Sequence, residues 1–193
     1  MRKLFALALA ALISLPLLNG CAAPVIVAGG AVAGATAMDR RDPEVILNDK
    51  AITLDVEKAI YTDNAIKHHI HVNVSSYNGV VLLTGETATA NIRQQVVEHT
   101  QRVQHVRKIY NETIVAPNAD HASRRQDAWI TTKVKAGLVA TKEISGLHFK
   151  VVTENQIVYL MGIVSKAEGD TAASVAQRVR GVKQVVKIFE YSS

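Results

Sequence analysis

The stretches NGVVLLTG (Asn78–Gly85) and NQIVYLMG (Asn155–Gly162) repeat one pattern in the two halves of the chain. Each begins with polar turn residues, continues with residues of high β propensity and ends in glycine. Asn-Gly is the preferred dipeptide of a type I′ hairpin turn. The alternating residues Ile70, Val72 and Val74 before the first turn are typical of a half-buried strand. The sequence therefore predicts a β-hairpin at the centre of each half.

The similarity extends outward on both sides of the hairpins, as it does after an old duplication. Residues of the same kind recur at nearly constant spacing: Ile52, Val56 and Ile60 with Ile130, Val134 and Leu138, and Val103, Val106 and Ile109 with Val179, Val182 and Val185. The first set in each copy, which begins at Ile52 or at Ile130, has the i, i+4, i+8 spacing of a helix face. Each copy is therefore predicted to have the order αββαβ, an α+β unit in which two helices cover a small mixed sheet. Predicted helices span residues 51–62, 89–102 and 166–180, and the last strands span 106–115 and 182–191.

These patterns predict two tandem domains behind a lipidated tether. The segments are a signal peptide at 1–20, a lipid-anchored flexible tether at 21–45, a first repeat at 46–115, a polar linker at 116–126 and a second repeat at 127–193. The alternative for the uncharged part of the tether is a packed membrane helix. Domains of roughly 65 residues have thin hydrophobic cores. We therefore expect the two repeats to pack together or against another surface.

The N-terminus indicates export and lipidation. Arg2 and Lys3 precede the uncharged run Leu4–Leu18, which has the length of a signal-peptide core and is short for a membrane span. The following residues, LNGC ending at Cys21, resemble the bacterial lipobox, whose cysteine is acylated. Ala22 follows, and the resemblance implies an outer-membrane lipoprotein facing the periplasm. The alternatives are a cleaved secretory signal with a free cysteine, or an uncleaved anchor helix.

Composition and motifs argue against several classes of protein. The 193 residues are 48% hydrophobic and 20% charged, an ordinary globular composition, and the +5 net charge is scattered, which does not indicate nucleic-acid binding. The chain has no G-x-S-x-G motif, P-loop or cysteine free for catalysis. We therefore expect no catalytic residues, no cofactor and no small-molecule substrate. His69 and His71 share one strand face, but no further ligand has suitable spacing, so we predict solvated residues and no metal site.

The paired repeats resemble BON domains. The resemblance rests on the strand-ending glycines Gly85 and Gly162 and on the V-x-G-V motif at Val179–Val182. With the lipobox, and with DAWITTKVK (127–135) and VTENQIVYLMG (152–162), the chain resembles the outer-membrane lipoprotein family called DolP or YraP. His105 replaces the motif's glycine in the first copy, so the turn there is expected to differ.

The family resemblance implies a function as well as a fold. It implies binding of anionic phospholipid through the second BON domain, support of envelope integrity and recruitment to division sites. Relatives have also been labelled haemolysins.

The two opening helices differ on the face that is not needed for folding. Trp129, Lys133, Ala136 and Ala140 form a stripe about 120° to 140° from the core stripe. The corresponding residues of the first copy, Ala51, Asp55, Lys58 and Thr62, form a plain solvated face. Tryptophan beside lysine suits an anionic lipid interface. The candidate phospholipid-binding residues are Trp129, Lys133, Lys135, Ala136, Val139 and Ala140.

The sequence is compatible with three functions. The first is a non-enzymatic lipoprotein that binds an anionic phospholipid such as phosphatidylglycerol. The second is a scaffold for envelope proteins, with Trp129 in a protein interface. The third is a membrane-active haemolysin. Trp129 can also be interpreted as covering the edge of the core or packing against the first repeat.

Overall fold

The computed structural model describes residues 39–117 and 121–192, so the expected signal peptide, Cys21 and most of the tether lie outside the described residues. The helices are α1 Pro43–Thr62, α2 Ala90–Gln101, α3 His121–Ala140 and α4 Lys166–Gln177. The strands are β1 Ile70–Tyr77, β2 Val80–Thr87, β3 Lys108–Asn111, β4 Ile114–Val115, β5 Lys150–Glu154, β6 Ile157–Val164 and β7 Gln184–Tyr191. The predicted α+β fold with two αββαβ repeats is confirmed.

Each repeat forms a small mixed sheet. In the first repeat β1 is antiparallel to β2, while β3 and β4 run parallel to β2. In the second repeat β5 is antiparallel to β6, and β7 runs parallel to β6 along its whole length. The last strand of the first repeat is therefore divided where one strand over 106–115 was predicted. The side chain of Asn111 accepts hydrogen bonds from the amide and hydroxyl of Thr113 at the break.

Buried aspartates hold both hairpin turns against the opening helices. A carboxylate of Asp49 in α1 accepts from the amides of Asn78 and Gly79. Asp127 in α3 accepts from the amides of Asn155 and Gln156, at 2.8 Å in each case. All four turn residues have positive φ, so their amides point toward the carboxylate in the same way. The repeat seen in the sequence is thus also a repeat of polar contacts.

Two helices begin earlier than the sequence patterns predict. α1 begins at Pro43, inside the expected tether, because proline fits the first turn of a helix without losing a hydrogen bond. α3 begins at His121, so residues 121–126 of the expected linker are helical. Ahead of α1, Arg40 contacts Glu168 and Arg41 contacts Asp49. This end of the expected tether is therefore bonded to both repeats.

The two repeats pack together through the sheet faces that their helices leave uncovered. The apolar contact consists of Tyr77, Val80, Leu82, Tyr159, Met161 and Ile188. Polar contacts border it: Asn73 donates to Glu154 at 2.9 Å, and Asn78 donates to Glu190 at 2.6 Å. Each repeat keeps its own core under its helices. This contact between the repeats, called the joint below, adds a third hydrophobic layer. The two thin domains therefore pack together, as expected.

Candidate functional site

The core face of α3 is separate from its candidate lipid-contact face. Ile130, Val134 and Leu138 are fully buried, as predicted. The six candidate residues are all exposed: Trp129, Lys133, Lys135, Ala136, Val139 and Ala140. The Trp129 side chain is 46% exposed and is not part of the buried cores or of the apolar contact between the repeats.

The exposed face of α3 has two flanks. On one flank the ammonium of Lys133 lies 5.8 Å from the centre of the Trp129 ring, within the range of a cation–π interaction. Helical geometry places Lys135 about 120° around the axis from Trp129. Lys135 lines a cavity that also touches α1. The candidate residues therefore form one exposed face with an aromatic flank and a flank next to the first repeat.

The equivalent helices carry opposite charge. α1 contains the acidic residues Glu44, Asp49, Asp55 and Glu57 against two lysines, for a formal charge of −2. α3 contains Arg124, Arg125, Lys133 and Lys135 against Asp127 alone, for a formal charge of +3. Because Asp127 is buried at the hairpin turn, the exposed charge of α3 is almost entirely positive. Only the second repeat therefore presents an aromatic and basic helix.

A cavity of about 580 Å³ lies where the repeats meet, and sequence reasoning did not find it. Its lining includes Lys50 and Leu54 of α1 together with Lys135 of α3, Leu147 and Lys150. Burial lowers the pKa of the Lys150 ammonium, and the positive charges of Arg41 and Lys135 lower it further against the opposing effect of Asp49. No local sequence pattern predicts this cavity, because the residues that line it are far apart in the sequence.

Two polar stretches of the sequence, Thr62–Asn64 and Ser123–Gln126, have structural explanations. Asp63 accepts a hydrogen bond from the amide of Ala65 and contacts His99, which is turn chemistry. Ser123–Gln126 lies in the first turns of α3. Within residues 39–117 and 121–192, no group of three or more histidine, cysteine or acidic side chains is placed to hold a metal ion.

Each helix placed by the structure is too short or too polar to cross a bilayer.

Comparisons with known proteins agree with the repeated architecture. The family model described as "BON domain" matches residues 48–117 and 126–192. The chain is 36% identical to "Outer membrane lipoprotein DolP" of Haemophilus influenzae over 174 residues, 90% of each chain. It is 34% identical to the "21 kDa hemolysin" of Actinobacillus pleuropneumoniae, over 80% of this chain and 79% of that one.

A third curated protein is less similar to this chain. The chain is 30% identical to "Osmotically-inducible protein Y" of Escherichia coli, over 72% of this chain and 70% of that one. The duplicated fold, the paired matches and these identities lead to one conclusion: the chain belongs to the BON-domain family and is similar to the outer-membrane lipoprotein DolP.

Proposed function

We propose that this protein is a non-enzymatic lipoprotein, anchored to the outer membrane through Cys21 and facing the periplasm. Its second BON domain binds anionic phospholipid, such as phosphatidylglycerol, and the protein supports envelope integrity, including at division sites. One observation carries the lipid-binding proposal. Exposed Trp129, Lys133 and Lys135 stand on α3 where α1 has Ala51, Asp55 and Glu57.

The chemistry of this face suits the surface of a bilayer. An indole ring is stable at headgroup level, where its apolar body and its N–H group meet different environments. Each lysine near an anionic surface contributes about 1 kcal/mol. Lys133 and Lys135 with Trp129 therefore give a weak and reversible contact. Anchoring through acyl chains raises the local concentration of the face, so a weak contact is sufficient.

Vesicle binding by an unanchored protein tests the proposal. The mature chain with Cys21→Ser should cosediment with phosphatidylglycerol vesicles, and Trp129→Glu should reduce that binding at least tenfold because a carboxylate replaces the indole. Binding should also weaken as salt is raised, since exposed charges are screened. Phosphatidylcholine vesicles should bind much more weakly.

The first repeat provides a matched control. Ala51 is exposed and corresponds to Trp129, so Ala51→Glu introduces the same charge at the same helical position of the other domain. It should leave vesicle binding unchanged. If Trp129→Glu binds vesicles as well as the unsubstituted protein does, α3 is not the contact.

Similarity to a protein named "21 kDa hemolysin" supports a second candidate, membrane lysis. Purified lipidated protein added to red cells tests it directly. Release of haemoglobin at micromolar protein would favour lysis, whereas intact cells would contradict it.

A third candidate function is that of a scaffold for envelope proteins. Crosslinking from position 129 in cells distinguishes it from lipid binding. Dominant protein adducts without vesicle binding would favour the scaffold.

A further inference from the structure

The cavity between the repeats has a size suited to a small ligand. Its volume of about 580 Å³ lies within the range of roughly 300–1,000 Å³ that is usual for ligand sites. Helix α1 forms one wall. Lys135 of α3, Leu147 of the short 3-10 helix Gly146–His148 and the start of β5 form the other. The cavity therefore exists only when the two repeats are packed together.

One part of the lining is apolar from the floor to the rim. Phe149 and Val151 are buried at the floor. At the rim, Leu54 is 64% exposed and Leu147 is 50% exposed. Exposed leucines that line one cavity keep apolar surface in water unless a ligand covers it. The apolar lining thus has the chemistry of a site for a hydrocarbon chain.

The other part of the lining is positively charged. Arg41, Lys50, Lys135 and Lys150 line the cavity against one carboxylate, Asp49. Asp49 is already engaged, because it accepts from Arg41 at 2.7 Å and from the amides of the first hairpin turn. Arg41 in turn is bonded to Asp39 and Asp49.

The three lysines make no direct ion pair in the part of the chain that the structure describes. Within the described chain no carboxylate forms an ion pair with Lys50, Lys135 or Lys150. The Lys150 ammonium donates to the Ser76 carbonyl at 3.0 Å, which satisfies one of its protons, and Asp49 is the carboxylate that acts on its charge. The pKa of Lys150 is lowered first by burial; Asp49 opposes this shift, and the positive charges of Arg41 and Lys135 add to it. A bound anion would relieve this repulsion.

We propose that the cavity binds one anionic phospholipid molecule, with its phosphate between Lys135 and Lys150 and an acyl chain along Leu54, Leu147 and Phe149. A free anion would cover the lysines and leave the leucines in water, whereas an apolar peptide would cover the leucines and leave the lysines unpaired. A lipid satisfies both parts of the lining. This inference deepens the proposed function and rests on it for the class of ligand. It differs in that the cavity takes a single molecule, whereas Trp129 contacts a bilayer surface.

A lipid below its micelle concentration separates the cavity from a membrane surface. Dihexanoylphosphatidylglycerol monomers, titrated into the isotopically labelled mature chain with Cys21→Ser, should shift amides at Lys50–Leu54 and Leu147–Val151. Dihexanoylphosphatidylcholine, which has the same chains without net charge, should bind at least tenfold more weakly. Glycerophosphoglycerol, which has the charge without chains, should also bind at least tenfold more weakly.

Two exposed positions allow substitutions that leave the fold intact. Leu54→Asn removes part of the apolar wall, and Lys135→Glu reverses one charge. Each should weaken monomer binding at least tenfold. Lys58 is an exposed lysine of α1 that does not line the cavity. Lys58→Glu changes the net charge by the same amount as Lys135→Glu and should change monomer binding less than twofold. Circular dichroism and thermal unfolding verify that each variant is folded.

The outcomes distinguish this inference from the proposed function. If monomers cause no shifts, or shift only amides around Trp129, the cavity site is overturned even when vesicles still bind. If monomers bind as expected and vesicles do not, the cavity site stands and the bilayer contact fails. If neither lipid form binds and a crosslinker at position 54 captures proteins in cells, the occupant is a protein and the inference is overturned.

Discussion

His105 and Gly181 occupy equivalent turns, and both adopt left-handed backbone. The φ angle is 65° at His105 and 93° at Gly181. The missing glycine of the first repeat led us to expect a different turn, but the same backbone region is kept with a residue that is poorly suited to it. A side chain in this region costs roughly 1–2 kcal/mol, which glycine avoids. The two repeats therefore differ in the residue at this turn and keep the same backbone conformation.

Substitution at this residue tests the backbone strain. His105→Gly should raise the free energy of unfolding by about 1 kcal/mol, since relief of the strained φ outweighs the greater freedom of glycine in the unfolded chain. Urea denaturation followed by circular dichroism measures this change. His68 is also exposed and has no positive φ, so His68→Gly should give no gain. An equal or lower stability for His105→Gly would show that the turn is not strained.

Among the elements, those with a clear hydrophobic period were predicted well. The hairpins and the core faces of α1 and α3 follow from residues that alternate or recur every four positions. The starts of these helices were missed because residues 43–50 and 121–126 lie outside the apolar repeat that defines the core face. The break between β3 and β4 was missed because it depends on the local contact of Asn111 with Thr113. The exposure of Trp129 was inferred from the comparison of the two copies, whereas its ligand remains a prediction.

If α3 binds lipid through Trp129 and Lys133, the same pair should work on α1. Ala51 and Asp55 are exposed at the equivalent positions, so Ala51→Trp with Asp55→Lys builds a second aromatic and basic face. The double variant should bind phosphatidylglycerol vesicles at least threefold more tightly than the unsubstituted protein, measured by cosedimentation.

Its control keeps the tryptophan and removes only the negative charge. Ala51→Trp with Asp55→Asn should gain less, because it lacks the cation that meets phosphate. A folded double variant without any gain would mean that these two residue types on a BON helix are not sufficient for lipid contact.

In the whole molecule, the joint between the repeats buries an acidic residue. Glu154 of the second repeat is 6% exposed and accepts from Asn73 of the first. Burial raises the pKa of this carboxyl, and the nearby charge of Glu86 raises it further. The folded protein therefore holds the proton of Glu154 more tightly than the unfolded chain does. The stability of the joint must fall as the pH rises through the raised pKa of this group.

Glu154→Gln tests this dependence on pH. The amide keeps an oxygen for Asn73 and carries no charge, so the variant should melt at a higher temperature near pH 7. The gain should shrink toward about pH 4, where carboxyl groups become protonated. Glu143 is exposed on the same repeat, and Glu143→Gln should show no such trend. A constant difference between Glu154→Gln and the unsubstituted protein at every pH would contradict the role of the charge.

The contacts of Arg40 and Arg41 determine how the molecule carries a mechanical load. Arg40 holds Glu168 of the second repeat at 2.8 Å, and Arg41 holds Asp49 of the first at 2.7 Å. Arg41 also lies over the Tyr77 ring at the joint. The chain that leads from Cys21 reaches this pair of arginines before it reaches α1. A pull on an anchored N-terminus would thus be divided between the two repeats at their joint, instead of peeling α1 away from its end.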